Sequence, residues 1–241
     1  TIRLVTRQGP ITYYEDARGK NGFEYVLAKD FADYLGVELE VATTESIPQI
    51  FNMLGGPNAD FAGATLTITP ARQKSVLFSR PYADVVQTVI FRRDSSQPKT
   101  LEDLVGKQLA VVAGSSHEEH LNTLKEDHPG LVWLSIDDVE MIELVEMVEG
   151  GEIDYAIIDS TTFEAHRSMY TRTSRAMDIS EPQQLAWAFP THADKTLLLK
   201  ADQFLKQSES TGRLQALREQ FFSDIKHFSV PSAQLFFHRM E

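Results

Sequence analysis

The sequence predicts an α/β protein with largely parallel sheets. Short apolar runs alternate along the chain with segments of helical periodicity, which is typical of consecutive βα units. Two such series follow one another, the first beginning with IRLVT at 2–6 and the second with QLAVVAG at 108–114. Crossings near residues 93 and 185 would divide the chain into two lobes, the second inserted into the first. The same pattern also fits one continuous doubly wound sheet.

The composition favours a soluble globular protein and excludes several kinds of function. The 241 residues can form one large domain or two modest ones, and 42% of them are hydrophobic. A net charge of −12 argues against binding to nucleic acid or to an anionic membrane surface. The absence of cysteine excludes disulfides, thiolate metal sites and a cysteine nucleophile. No apolar run approaches the roughly 20 residues of a membrane-spanning helix.

Start and stop signals place the elements of the first series. Gly22 to Gly36 is predicted to be a helix with one apolar stripe, because Phe23, Leu27 and Phe31 recur at helical spacing. Ser46 should cap a second helix, with Pro48 in its first turn. The remaining predicted elements of this series are strands at 2–6, 37–41, 60–68 and 88–93.

The second series has the same alternation. Strands are predicted at 108–114, 131–135, 154–159 and 185–190, and helices at 115–127 and 137–151, with two more helices between 194 and 222. Residues 223–241 show no clean period, and we interpret them as a linker toward a further domain. Because Thr1 leads directly into a strand, we also expect the chain to be excised from a longer precursor.

The stretch TLTITPAR at 65–72 is the first candidate binding element. Thr69 and Pro70 form a typical helix start, which places Arg72 near the positive end of the helix dipole. An anion held jointly by the guanidinium and the first-turn amides would explain a cation at this position. The alternative is an arginine that turns outward to a surface carboxylate.

The stretch AGSSHEEH at 113–120 and the run DYAIID at 154–159 supply two more candidates. Ser115 or Ser116 begins a helix, and either could cap it, contact a ligand or do both. Asp159 ends a predicted strand, where open α/β sheets bind ligands, although it could instead cap the following helix. His117 and His120 share a helical face but do not form the H-E-x-x-H zinc pattern, so we expect no metal here.

Several motifs in order resemble the type II periplasmic solute-binding family, in its amino-acid-binding branch. They are GFEYVLAKDFADYLG, TITPARQKSVLFSRPY, LEDLVGKQLAVVAGSSHEEHL, EGGEIDYAIID and LAWAF, which together cover about residues 1–222. The resemblance implies two α/β lobes joined by two crossover strands at a hinge. Lobe 1 would comprise 1–92 and 186–222, and lobe 2 would comprise 93–185.

The resemblance also implies roles for individual residues around one small zwitterionic ligand. Arg72 and the Thr67 hydroxyl would bind its α-carboxylate, and Asp159 with the Thr65 carbonyl would bind its α-ammonium group. Ser115 and Ser116 would approach from lobe 2. The ligand would stack on one of the tyrosines Tyr13 and Tyr14, and the sequence does not decide which. The family implies no cofactor, metal or catalytic residue in this chain.

The run at 12–36 and the tail after Phe222 resemble, more specifically, the amino-terminal module of membrane-bound lytic transglycosylases. There, a solute-binding domain precedes a peptidoglycan-cleaving domain in a periplasmic protein associated with the outer membrane. The cleaving signature, E-S followed by G-x-x-G-L-M-Q, is absent from these residues, so catalysis would lie in a C-terminal domain in cis. The expected function is therefore non-catalytic closure on an amino acid or muropeptide.

Three alternatives on the same fold remain open from the sequence. The chain could be the soluble receptor of an amino-acid importer. Such a receptor should end near residue 222, so the additional residues up to 241 count against this alternative. It could be a periplasmic cyclohexadienyl dehydratase, which would need a general acid and would turn over prephenate or arogenate. It could also be the input domain of a sensor kinase.

Overall fold

A computed structural model describes residues 1–192 and 194–223, and within it the chain divides into two units. The first unit is built from Thr1–Asp84 and from the described residues from Gln184 onward, and the second is Val85–Gln183. The second unit is therefore an insertion in the first. The predicted linker at 223–241 lies, apart from Ser223, outside the described residues.

Among its described residues, the first unit contains a five-stranded mixed sheet and five helices. Its strands are β1 (Ile2–Arg7), β2 (Tyr14–Asp16), β3 (Gly19–Asn21), β4 (Leu39–Thr44), β5 (Phe61–Ala62), β6 (Val76–Phe78) and β14 (Ala188–Pro190). Its helices are α1 (Phe23–Leu35), α2 (Ile47–Met53), α3 (Pro70–Gln73), α7 (Thr196–Ser210) and α8 (Arg213–Phe222). The sheet order is β4-β1-β5-β14-β6, and β2 pairs with β3 as a separate hairpin. Strands β1, β4 and β5 are parallel, whereas β14 is antiparallel to β5 and β6.

The second unit has a sheet of the same size. Its strands are β8 (Gln87–Arg92), β9 (Leu109–Val112), β10 (Leu134–Ile136), β11 (Tyr155–Asp159) and β12 (Thr173–Asp178), in the order β10-β9-β11-β8-β12. Its helices are α4 (Ser116–Asp127), α5 (Met141–Gly150) and α6 (Ser160–His166), with a 3-10 helix at Leu101–Leu104. Strand β8 runs antiparallel to β11 and β12. The sequence prediction had assigned this strand to lobe 1.

The chain leaves the first unit through β7 (Ala83–Val85) and returns through β13 (Gln183–Leu185). These two strands pair with each other as a two-stranded sheet. The predicted fold class, a type II solute-binding fold with two α/β units and two crossover strands, is confirmed.

Local signals explain where several elements begin and end. Helix α1 ends at Gly36, whose φ of 69° lies in the left-handed region that glycine adopts without a steric penalty. Helix α2 begins after Ser46, whose side chain accepts a hydrogen bond from the Gln49 amide. The predicted strand at 60–68 is too long, because regular pairing ends at Ala62. The expectation of largely parallel sheets needs one correction in each unit, because β14 in the first and β8 in the second run antiparallel to both of their neighbours.

Each unit has its own apolar core. In the first unit, Val5, Ile50, Ala62 and Leu66 are among the residues of a buried cluster. In the second unit, the corresponding cluster includes Val89, Leu109, Leu121, Leu131 and Ile157.

The two tryptophans of the chain lie in different units and in different environments. Trp187 is fully buried in the first unit, and its ring contacts Phe31, Phe61 and Phe204. Trp133 is half-buried at the core of the second unit, and its indole N–H donates to Glu118 over 3.1 Å.

Candidate functional site

The candidate site of the first unit follows strand β5. Because β1, β4 and β5 are parallel, their carboxyl ends lie at one edge of the sheet, where α/β proteins place ligand-binding loops. The segment from Gly63 to Thr69 leaves β5 at this edge and leads into α3. It contains the predicted residues Thr65 and Thr67.

Arg72 lies in the short helix α3 and is 6% exposed. Its amide donates to the Thr69 hydroxyl over 3.2 Å, which confirms Thr69 as the helix cap. Its guanidinium turns back toward the chain before the helix, where Nη1 donates to the Thr67 carbonyl over 3.0 Å. The Phe51 ring lies 5.3 Å from the guanidinium carbon, within the range of a cation–π contact. The outward-facing alternative for Arg72 is therefore not adopted.

Thr67 and Thr65 differ in exposure and conformation. Thr67 is 2% exposed, and its backbone pairs with Leu185 besides accepting from Arg72. Thr65 is half-buried and has a φ of 50°, which is uncommon for a residue with a β-branched side chain. Its amide donates to Glu24 over 2.8 Å, and its hydroxyl donates to the neighbouring Ala64 carbonyl.

Glu24 is a residue that the sequence reasoning missed. It lies in the first turn of α1 and is fully buried. Its carboxylate accepts hydrogen bonds from the Thr65 amide, the Tyr82 hydroxyl and, over 2.8 Å, the Trp187 indole N–H. Burial raises the pKa of Glu24, against the lowering effect of these three donors. An acidic residue in a first turn is ordinarily a solvated partner of the helix dipole, so its sequence position carried no signal of this role.

Tyr13 and Tyr14 are both buried. The Tyr13 hydroxyl donates to Glu15 over 3.3 Å, and its ring lies 5.7 Å from that of Tyr25. Tyr14 begins β2 and pairs with Asn21. Burial raises the pKa of both phenols. Neither arrangement selects one tyrosine as the ligand-stacking ring, so that prediction stays open.

The candidate site of the second unit lies at the carboxyl ends of β9 and β11. Ser115 is buried and caps α4, because its side chain accepts from the Glu118 amide over 3.3 Å. Glu118 in turn accepts from the Gly114 amide over 2.9 Å. Ser115 is therefore the helix cap, but the reciprocal bond of a capping box is not formed, because Glu118 accepts from Gly114 and the Ser115 amide donates to the Val112 carbonyl. Ser116 is also buried, at the first position of the helix.

Asp159 is the last residue of β11 and pairs with His117 of α4. Asp159 Oδ1 and His117 Nε2 are 2.8 Å apart, and both residues are 3% exposed. The Asp159 carboxylate makes no capping bond to α6, which removes the alternative explanation for this residue. From the sequence, His117 is considered only as a metal ligand, because no local pattern points to a partner 42 positions away.

The described part of the chain contains no group of three or more His, Asp or Glu residues placed to hold a metal ion. Across 1–192 and 194–223, no helix is both long and apolar enough to cross a membrane. A cavity of about 250 Å³ in the first unit is lined by residues such as Asp60, Leu77 and Phe189, and it includes none of the predicted site residues.

Two α/β units, one inserted in the other, with buried charged residues after their strands, define a protein built to bind a small solute. The chain belongs to the bacterial extracellular solute-binding proteins, family 3, whose family model matches residues 2–224.

Curated relatives and solved structures refine this assignment. Membrane-bound lytic murein transglycosylase F of Saccharophagus degradans is 42% identical over 99% of this chain. The chain spans about half the length of the curated relatives it matches, 48% in this case.

Among solved structures, a mutant of ArgBP from T. maritima superposes with a TM-score of 0.80 at 27% identity, covering 92% of this chain and 94% of that one. An ancestral amino acid-binding protein, a precursor of cyclohexadienyl dehydratase, superposes with a TM-score of 0.79 at 27% identity, covering 92% and 95%.

Proposed function

We propose that this chain is the non-catalytic, regulatory solute-binding module of a peptidoglycan lytic transglycosylase. Its ligand is an amino acid or a peptidoglycan-derived peptide (muropeptide), and ligand-dependent compaction of the chain is its output. The name of the relative at 42% identity supports the parent enzyme, and the family supports the binding role.

The observation that carries the binding role is the buried guanidinium of Arg72. A cation at 6% exposure is oriented by a carbonyl and an aromatic ring, so its geometry is set before a ligand arrives. Such a group suits bidentate recognition of a carboxylate. We assign the carboxylate of the ligand to Arg72 and Thr67. We assign the ammonium group of the ligand to Asp159 and the Thr65 carbonyl. Further contacts would come from Ser115, Ser116 and one of the two tyrosines.

The proposed setting follows from the same relatives. The parent protein acts in the periplasm in association with the outer membrane, and a catalytic domain follows this module in the same chain. The share of the relative that remains unmatched, about half, is room for that domain. A ligand regulates the neighbouring domain only if it binds two conformations of the module with different affinity.

Two other functions have a specific observation in their favour. The likeness to ArgBP suits an amino-acid importer receptor. The likeness to a dehydratase precursor suits an enzyme, and the buried His117–Asp159 pair could supply its general acid. Turnover of prephenate or arogenate by the purified chain would identify it as an enzyme. Tight amino-acid binding without such turnover would argue against the enzyme.

The test is a thermal-shift panel of the common L-amino acids and a soluble muropeptide digest, followed by calorimetry on any ligand that raises the melting temperature. Ligand at 100 times its Kd adds about 2.7 kcal/mol to the free energy of unfolding, which is easily measured. We expect Arg72→Ala to lose about 2–5 kcal/mol of binding free energy.

The matched control is Arg213→Ala, which removes an exposed arginine of the same unit that pairs with Asp30 over 2.8 Å. It should leave the affinity unchanged. Equal affinities of wild type and Arg72→Ala for a carboxylate ligand would contradict the assignment. Small-angle scattering that shows no compaction with any panel member would contradict the proposed output.

A further inference from the structure

Glu24 connects four distant parts of the first unit. It belongs to α1, and its three hydrogen-bond donors are 41, 58 and 163 positions away along the chain. A fully buried carboxylate is costly unless donors surround it. Here Thr65 supplies a backbone N–H, and Tyr82 and Trp187 supply side-chain donors.

Thr65 is the donor whose backbone is unusual. Its φ of 50° places a β-branched residue in the left-handed region, which persists only where the surroundings hold it. The bond from its amide to Glu24 is one such restraint. Two residues later, the Thr67 carbonyl accepts from Arg72 Nη1, so the path of this short segment determines where the guanidinium is anchored.

Gly63 leaves the space that this arrangement needs. A Cβ atom at position 63 would lie 2.7 Å from Glu24 Oε2 and 2.8 Å from the Trp187 indole, both far inside van der Waals contact. Both neighbouring side chains are fully buried, so a Cβ atom here would force the Glu24 carboxylate or the indole to shift. Glycine at this position therefore allows the carboxylate to reach Thr65.

We propose that Glu24 is a positioning residue for ligand recognition: by holding Thr65 in its left-handed conformation, it sets the Thr67 carbonyl and thereby the Arg72 guanidinium. The role of Arg72 as the carboxylate contact rests on the proposed function. Glu24 itself touches no ligand in this scheme. The simpler reading is that Glu24 only joins parts of the core, and that reading predicts a different response to substitution.

The experiment compares Glu24→Gln with Tyr82→Phe by NMR of the ¹⁵N-labelled chain without ligand. Glutamine removes the charge that the Thr65 amide bonds to, whereas phenylalanine removes a different donor and leaves the Glu24–Thr65 bond in place. In Glu24→Gln we expect the Thr65 amide to exchange with solvent at least about tenfold faster, the scale of one lost charge-assisted bond. We also expect the Arg72 side-chain Nε–H resonance to shift, while amides of β1 keep their wild-type exchange rates.

Tyr82→Phe should leave the Thr65 and Arg72 signals as in wild type. Equal changes in the two variants, or an unchanged Thr65 amide in Glu24→Gln, would overturn the proposal. Gly63→Ala provides a second route if Glu24→Gln does not fold, because it displaces the carboxylate and should reproduce the Thr65 and Arg72 changes. These readouts need no ligand, so a wild-type chain that binds nothing in the panel refutes the proposed function and leaves this result to be judged separately.

Discussion

At the scale of single residues, the first unit buries an acidic side chain, Glu24, and a basic one, Arg72, and both contact the segment from Thr65 to Thr67. Glu24 is satisfied by three donors, and Arg72 is oriented by the Thr67 carbonyl and the Phe51 ring. Thr65 lies between them in the chain of contacts and carries the strained backbone. In the proposed scheme, the charge of Arg72 that would recognise a ligand is thus supported by the charge of Glu24, which would not touch it.

The protonation of Glu24 gives a prediction about pH. Burial raises its pKa above the ordinary 4.5. A group whose pKa is raised by folding stabilises the fold below its unfolded-state pKa, and this contribution is lost as the pH rises through the folded-state pKa. The free energy of unfolding of wild type minus that of Glu24→Gln should therefore be largest near about pH 4 and fall toward neutrality. Urea denaturation of both proteins across this range measures it, and a difference that is constant or rises with pH would contradict it.

At the scale of elements, the helix ends that carry a cap or stop residue were predictable, and the end of β5 was not. The caps at Ser46, Thr69 and Ser115 and the stop at Gly36 are local signals, and the structure has all four. Strand β5 ends at Ala62 although the apolar alternation continues to Ile68, and an extended strand could not continue through Thr65, whose φ is 50°.

The candidate site shows the same difference between local signals, which can be predicted, and contacts between distant residues, which cannot. The sequence predicted Arg72 and Asp159 as candidates from their positions beside a helix start and a strand end. The contacts of Asp159 with His117 and of Thr65 with Glu24 could not be predicted, since they join residues far apart in the chain. The ligand roles of all these residues stay predictions.

The cap of α4 gives a prediction at this scale. Ser115→Ala removes the oxygen that accepts from the Glu118 amide, so we expect it to lower the free energy of unfolding by about 1 kcal/mol. Thr123→Ala, at an exposed position within the same helix, is the control and should cause no loss. Chemical denaturation of both variants distinguishes the two, and equal stabilities would show that the Ser115 side chain is not needed as a cap.

At the scale of the whole molecule, the two units differ in how the chain builds them. The second is one continuous stretch, Val85–Gln183, with its own sheet and core. The first needs two separated stretches, because β14 pairs with both β5 and β6. The insertion therefore makes the first unit dependent on chain that follows the second.

This difference predicts the behaviour of fragments. A fragment containing Val85–Gln183 should fold alone and unfold cooperatively, whereas Thr1–Asp84 should not, because its sheet lacks β14. Circular dichroism melts and the dispersion of amide resonances measure both outcomes. A folded Thr1–Asp84 fragment would show that the first unit does not need β14. A disordered Val85–Gln183 fragment would show that the second unit cannot fold by itself.

The placement of the two indoles gives the molecule a separate optical reporter in each unit. Trp187 shares a hydrogen bond with Glu24, and Trp133 shares one with Glu118. After Trp133→Phe, all tryptophan fluorescence comes from Trp187 beside the Glu24 carboxyl group, and we expect its intensity to change when that group ionises. After Trp187→Phe, the emission comes from the second unit alone, so solute titrations of the two single-tryptophan proteins separate the response of one half of the chain from that of the other.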